Sequence, residues 1–406
     1  MSAMKILLAP AGYTISDYLG SEPLSSYKFI SALAKLNEDI EVYVITNFVK
    51  VKSPLKKTNI KLYPLNINLQ GGIIERAIFT LDCLREGLNI IENHRIDIIH
   101  QYLGGPFNLL ALCKRDIPFI IGPLRYDPPH PYEEDEHLAR WGRSWSECAI
   151  PSISEKIRNL SQKSFISIVG SLTNRLSRLT LERANAIVTA THVAKDVYER
   201  FIDAHNKIFV VPEGVDCEEF EFTPVPNNYD ILTLGAHFKH EGFDYLIKGM
   251  PKIVKECNEV RLHVLGDGPR RVYLEKLTKA LGLERHVKFH GFVPRETVLE
   301  FYKRCRLVVL PSLVKGFGLT QLEAMASGRP VVCTNTIGFR ETVISGKTGL
   351  IVPIANSDAL AEAIITLLFD YKLCRKMGAL GRKIAEERYD WGVIAKQYYD
   401  VYRRLM

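Results

Sequence analysis

The sequence predicts an α/β protein of two Rossmann-like domains, each an open parallel sheet covered by helices on both faces, the two facing each other across a cleft. Three observations carry that prediction: short apolar runs alternate with longer amphipathic stretches, the alternation starts afresh in the second half, and glycine turns follow several of the runs. Strand, helix and strand at this spacing mark parallel βαβ units, and parallel sheets are buried on both faces. A chain of 406 residues is long enough for two domains of ordinary size.

In the first half, strands are expected at MKILLA (4–9), IEVYVIT (40–46), DIIHQY (97–102), PFIIGP (118–123) and ANAIVTA (184–190), with helices over Leu24–Asn37 and Ile74–Glu92. The second half repeats the rhythm with DILTLGA (230–236), VRLHVLG (260–266), VKFHGFV (287–293), RLVVLPS (306–312) and RPVVCTN (329–335). Ahead of it lies the linker-like EEFEFTPVPNNYD, where Pro224 and Pro226 followed by Asn227 and Asn228 interrupt regular structure. The domains are set at 1–206 and 207–389. The closing segment from about 390 to 406 has a helical pattern, with Val393, Ile394, Tyr398, Val401 and Leu405 on one side. It follows the second domain's final helix and is expected to cross back onto the first.

With 47% apolar and 24% charged residues, the composition is that of a globular protein. The net charge of +7 suits anionic ligands or an anionic membrane surface and falls short of a nucleic-acid signature, so no nucleic-acid partner is expected. The eight cysteines show no CxxC pair and no metal-ligand spacing, and most are expected to be buried, reduced thiols. Near the N-terminus, Ile6–Ala9 reads as a short strand rather than the apolar core of a signal peptide. No run reaches the roughly 20 apolar residues of a spanning helix. A cytoplasmic chain is expected, at most peripheral on the cytoplasmic membrane face.

Three strand-end loops carry the chemistry: GAHFKHEG (235–242), GDGPRR (266–271) and KGFGLT (315–320). Each follows an apolar strand and precedes a helix, the context in which a glycine turn can cradle a phosphate. Singly, each is explained as well by glycines that permit a tight turn. Ligands of open α/β sheets bind beyond the carboxyl ends of the strands, which is where all three fall.

The run PSLVKGFGLTQLEAMASGRPVVCTNTIGFRETVISGKTGLIVP (311–353) resembles the retaining GT-B glycosyltransferases of family 4, also called glycosyl transferases group 1. VPEGVDCEEF (211–220), GFDYLIKGM (242–250), LGDGP (265–269) and the helix after YDW are similar pieces in the same order. The resemblance implies a GT-B fold and transfer of a sugar from a nucleotide-sugar donor to a glycan or lipid-linked acceptor. It also implies that no cofactor or metal is needed, and no DxD-type pair lies in a suitable loop. Position by position, it assigns ribose recognition to Glu323 and the donor sugar and diphosphate to the backbone of Gly316, Phe317, Gly318 and Leu319. The nucleotide pocket falls to Gly266 and Gly268 and the nucleobase to Gly291, Phe292 and Val293, and Gly235 is a further donor-binding candidate.

The chain departs from the family at the charges. Where the family's first loop carries an arginine and a lysine against the diphosphate, this chain has Ala236 and Glu241, and where the family has a sugar-binding glutamate it has Lys315. A carboxylate about 4 Å from a phosphate is repelled by roughly 4 kcal/mol at an effective dielectric near 20, so Glu241 needs a partner. Lys315, three donors on a flexible stem, can reach Glu241 or the phosphates, and Lys239, Arg270 and Arg271 are further sources of positive charge. Glu241 and Lys315 are therefore the candidate catalytic pair. Three readings stay open: an active transferase with a rewired donor site, a homologue without transfer that acts as a binding or scaffold subunit, and an epimerase or phosphorylase on the same architecture.

The first half matches the family less closely. Its glycine pair after the first strand is replaced by APAGYT, in which Gly12 is the candidate for donor contact, and acceptor candidates are His100, Asp127 and His130. His100 reads equally as a satisfied histidine at a strand end, and Asp127 and His130 as parts of a proline-stiffened loop. The stretch 156–184 combines leucines and isoleucines with lysines and arginines. It reads as a domain helix with a solvated basic face or as an interfacial helix in contact with anionic lipid.

Overall fold

The computed structural model describes residues 3–17, 21–36, 39–52, 55, 59–67, 73–103, 108–114, 116–125, 175–202 and 206–406. They divide into two compact units, one of Met1–Glu213 with Trp391–Met406 and one of Gly214–Asp390.

In the first unit, strands β1 (Met4–Leu8), β3 (Ile40–Thr46), β5 (Ile60–Pro64), β6 (Ile98–Gln101), β7 (Phe119–Leu124), β8 (Ala186–Thr189) and β9 (Ile208–Val210) form one parallel sheet in the order β5-β3-β1-β6-β7-β8-β9. Two short strands, β2 (Thr14–Ser16) and β4 (Phe48–Lys50), pair separately beside it. Alternate residues of β1 serve opposite faces, as a pleated strand requires. Ile6 and Leu8 pack with Phe29, Ile30 and Leu33 of helix α1 (Ser21–Leu36), while Leu7 packs with Phe79, Cys83 and Ile90 of α2 (Ile73–Asn93). A short α3 (Leu109–Cys113), the helical residues 175–183 and α4 (His192–Ile202) complete the described cover.

In the second unit, strands β10 (Asp230–Leu234), β11 (Arg261–Leu265), β12 (Val287–Gly291), β13 (Leu307–Leu310), β14 (Val331–Thr334) and β15 (Gly349–Val352) form a parallel sheet in the order β12-β11-β10-β13-β14-β15. Between them run α5 (Phe243–Glu256), α6 (Arg271–Ala280), α7 (Arg295–Arg304), α8 (Thr320–Ala326) and α9 (Ile337–Thr342), followed by α10 (Ser357–Phe369) and α11 (Tyr371–Ile384). Counted by chain order, both large sheets begin with the 3-2-1-4-5-6 arrangement of doubly wound dinucleotide-binding folds. The expected strands all form; β2, β4, β5, β9 and β15 are additional.

After α11 the chain leaves the second unit and ends as α12 (Trp391–Arg403), which belongs to the first. Ile394, Tyr398, Val401 and Tyr402 of α12 are buried in the core that also holds Ile6, Phe29 and Tyr102. Of the basic amphipathic stretch 156–184, only 175–184 lies within the described residues. There Leu181 is buried and Leu179 exposed. No helix of the described residues is long and apolar enough to cross a membrane.

Candidate functional site

The strand order of the second sheet reverses between β10 and β13, so the loops leaving these two strands rise side by side. Such a reversal opens the crevice in which doubly wound sheets hold ligands. The first loop (235–242) ends in a short 3-10 turn, Lys239–Glu241, and the second (311–319) leads into α8. Their backbones touch. Leu313 donates to the His240 carbonyl at 2.7 Å, and a Cβ on Gly242 would lie 2.1 Å from the Pro311 carbonyl oxygen, at a backbone φ of +67°. Only glycine fits there.

This proximity brings Glu241 and Lys315 together. The Lys315 ammonium donates to Glu241 Oε1 at 2.7 Å, the Ser312 hydroxyl donates to Oε2 at 2.8 Å, and His240 Nε2 lies 3.5 Å from Oε1. The Glu241 side chain is 13% exposed and that of Lys315 26%. Burial opposes the charged carboxylate, but Lys315 and His240 outweigh it and hold the Glu241 pKa at about 2. One of three ammonium hydrogens is spent on Glu241, which leaves two for another acceptor.

The third glycine loop joins from β11. His237 donates its backbone N–H to the Asp267 carbonyl at 3.0 Å, Arg270 donates to the His237 carbonyl at 3.0 Å, and Gly266 donates to Gly291 at 2.8 Å. Gly235, Gly266, Gly268 and Gly291 are thereby gathered at one end of the sheet, with Ala236 exposed beside them. Phe292 follows Gly291 and is 88% exposed, and Val293 is half-buried. Lys239 sits half-buried on the 3-10 turn. Arg270 approaches Asp244 at 3.8 Å and covers the Tyr273 ring at 4.3 Å, while Arg271 is held by Asp267 and Glu275, both at 2.9 Å. The extra cations thus have partners of their own.

On the far side of the second loop, Gly316 and Phe317 are buried, Gly318 takes a φ of +85°, and Leu319 caps α8. Glu323 then projects from the first turn of α8. Its Oε1 accepts from Arg295 Nη1 at 3.1 Å and its Oε2 from the Tyr302 hydroxyl at 3.0 Å. Arg295 in turn donates to Glu219 at 2.6 Å and lies over the Phe220 ring.

Gly12 and His100 belong to the first unit. Gly12 follows β1 at a φ of +93°, and its carbonyl accepts from the Thr46 hydroxyl at 3.1 Å. His100 is fully buried, with Nδ1 2.7 Å from the Tyr402 hydroxyl and Nε2 3.0 Å from the Gly122 carbonyl. Its enclosure leaves no ring atom to touch an acceptor, so it packs α12 against β6 instead. Burial lowers its pKa to about 3. Asp127 and His130 lie outside the described residues.

Sequence reasoning missed Ser312, His240, Arg295 and Tyr302. His240 lay inside a quoted loop and Ser312 at the end of a quoted strand, yet neither carries a local mark of its contact with the Glu241 carboxylate. Arg295 and Tyr302 look like solvent and core residues of an ordinary helix until α8 is placed beside α7.

Comparison with known proteins matches residues 217–384 to the family model described as glycosyl transferases group 1, and 26–219 to the model for glycosyltransferase family 4. An uncharacterized glycosyltransferase of Methanocaldococcus jannaschii is 31% identical over 350 residues, spanning 81% of each chain. A GDP-mannose-dependent alpha-(1-6)-phosphatidylinositol monomannoside mannosyltransferase of Mycolicibacterium smegmatis is 28% identical over 53% of this chain, and the match spans 62% of its own length. Among solved structures, sucrose-phosphate synthase of Thermosynechococcus elongatus superposes with a TM-score of 0.70 at 20% identity, covering 99% of both chains.

Proposed function

The chain belongs to the GT-B glycosyltransferases of the glycosyl transferases group 1 and family 4 type, and from that membership we propose a retaining transfer of a sugar from a nucleotide-sugar donor to a glycan or lipid-linked acceptor. The second unit holds the donor and the first carries the acceptor. The observation that supports this most is the Lys315, Glu241 and Ser312 cluster, which sits at the strand-order reversal with two ammonium hydrogens uncommitted.

In this reading the bond from the anomeric carbon to the diphosphate oxygen breaks as the acceptor oxygen bonds to the same face of the sugar. The acceptor's proton passes to the departing phosphate. No protein nucleophile is required, so the protein contributes positioning and stabilisation of the charge that grows on the leaving group. Lys315 supplies that charge from the glycine turn, and Glu241 fixes where the ammonium sits. Glu323 takes the ribose, and Phe292 with Val293 flanks the base.

A second reading is favoured by Glu241 itself, a carboxylate ionised on the loop where a diphosphate would lie: a homologue that binds partners without transfer. A thermal-shift panel of nucleoside diphosphates and nucleotide sugars separates the two. Stabilisation by at least one nucleotide is expected for the transferase, and a flat response to every ligand would sink it. For location we propose the cytoplasm with peripheral contact to the membrane face through the basic stretch 156–184. Co-flotation with anionic but not neutral vesicles is the expected result.

A further inference from the structure

Arg295 and Tyr302 approach Glu323 in a way that does more than neutralise it. Each takes one carboxylate oxygen, Arg295 Nη1 at 3.1 Å and the Tyr302 hydroxyl at 3.0 Å. A carboxylate has about four acceptor positions, so two remain. The Glu323 side chain is 14% exposed, so part of it stays open to a ligand. Both donors are themselves fixed. Arg295 is clamped by Glu219 at 2.6 Å and backed by the Phe220 ring 4.9 Å away, and Tyr302 is fully buried. A fixed donor on each oxygen restricts the orientation of the carboxylate and leaves two of its acceptor positions uncommitted. Two free acceptors on one rigid carboxylate match the adjacent 2′ and 3′ hydroxyls of a ribose, and a 2′-deoxyribose can use only one of them.

We infer that Arg295 and Tyr302 are positioning residues that aim Glu323 at a vicinal diol, and that they make the site select ribonucleoside diphosphates over their 2′-deoxy counterparts. This rests on the nucleotide-sugar reading of the site. A purely structural ion pair would hold the helices together without caring which sugar the nucleotide carries.

Isothermal titration with UDP, GDP and ADP and with dUDP, dGDP and dADP tests it on the full chain, comparing the wild type with Tyr302→Phe and Arg295→Gln. The wild type should bind its preferred ribonucleotide about tenfold or more tighter than the deoxy form, because a site built for a hydroxyl leaves acceptors unpaired when it is missing. In both variants that ratio should fall toward one while affinity for the deoxy form changes little. Tyr302→Phe keeps the buried ring, so it decides the matter if Arg295→Gln does not fold. An unchanged ratio in the variants overturns the positioning role. A wild type that binds ribo and deoxy forms equally overturns the inference and leaves the donor reading standing, whereas one that binds no nucleotide overturns both.

Discussion

Glu241 keeps its negative charge because the folded chain supplies Lys315 and His240 at short range, and that dependence can be read in two ways. Replacing Glu241 by glutamine strands the Lys315 ammonium and should destabilise the second unit by about 1–3 kcal/mol, seen as a lower urea midpoint. Exchanging the two residues, Glu241→Lys with Lys315→Glu, should restore the pair and shift donor preference; if the single and double changes leave nucleotide binding unaltered, the pair has no part in the donor site. Acid stability gives a second measure. The Glu241 pKa is held at about 2 against an ordinary 4.5, so its stabilisation is complete above about pH 4.5 and is lost as pH falls through 2. His100 has its pKa lowered to about 3 from 6.5, so its contribution is full above pH 6.5 and drains away as pH falls toward 3. Melting temperature should therefore begin to fall below pH 6.5, and His100→Gln should make the limb between 6.5 and 4.5 shallower, the remainder belonging to His237 and His290, whose pKa values burial also lowers. An equal slope in the variant would assign that limb to other groups. The pairing of Glu241 with Lys315 was legible in the sequence because opposite charges sit in two glycine turns that each follow an apolar strand. The donors that complete it, Ser312 and His240, carry no local mark, since a hydrogen bond between loops is decided by strand order.

Helices and strands were legible where periodicity was long. The helices expected over Leu24–Asn37 and Ile74–Glu92 form as Ser21–Leu36 and Ile73–Asn93, because their apolar stripes run for four turns or more and bury against β1. Strand β5, reading IKLYP, escaped notice: it is an edge strand, half-exposed along most of its length, and has neither alternation nor a continuous apolar run. A different kind of element was invisible for another reason. Arg329, between α8 and β14, is fully buried and donates to the carbonyls of Tyr302 at 2.6 Å, Lys303 at 2.7 Å, Thr223 at 2.7 Å and Ser327 at 3.0 Å. Burial lowers its pKa to about 10, which leaves it charged at neutral pH. One guanidinium thus ties the end of α7, the end of α8 and the segment before β10, with carbonyl oxygens in place of a carboxylate. Arg329→Met should cost about 3 kcal/mol or more, because several buried carbonyls lose their donor at once. Arg329→Lys should recover little of it, since one ammonium cannot span the fan of acceptors. Urea denaturation of the three proteins tests this, and a lysine variant as stable as wild type would show that charge alone suffices.

At the scale of the whole chain, the path of the backbone matters more than any single contact, because residues 391–406 belong to the unit that begins the sequence. Trp391, Ile394, Tyr398, Val401 and Tyr402 are buried in the first unit's core, and Tyr402 meets His100 at 2.7 Å. Fully burying a large apolar side chain stabilises by about 1.5–3 kcal/mol, so five together approach the entire 5–15 kcal/mol that usually separates a folded domain from its unfolded chain. Deleting 391–406 should therefore unfold the first unit. The second unit keeps its own core, gathered from β10 to α11 around Ile247, Leu262, Val309 and Ile364, and residues 214–390 should fold alone. Calorimetry then has a definite expectation: a transition from the second unit survives the deletion, with nucleotide still raising its midpoint, while the other disappears. Loss of both transitions would mean that the second unit depends on the first for its stability. Two transitions in the truncated chain would mean that α12 is dispensable and that the burial of its five side chains has been overvalued.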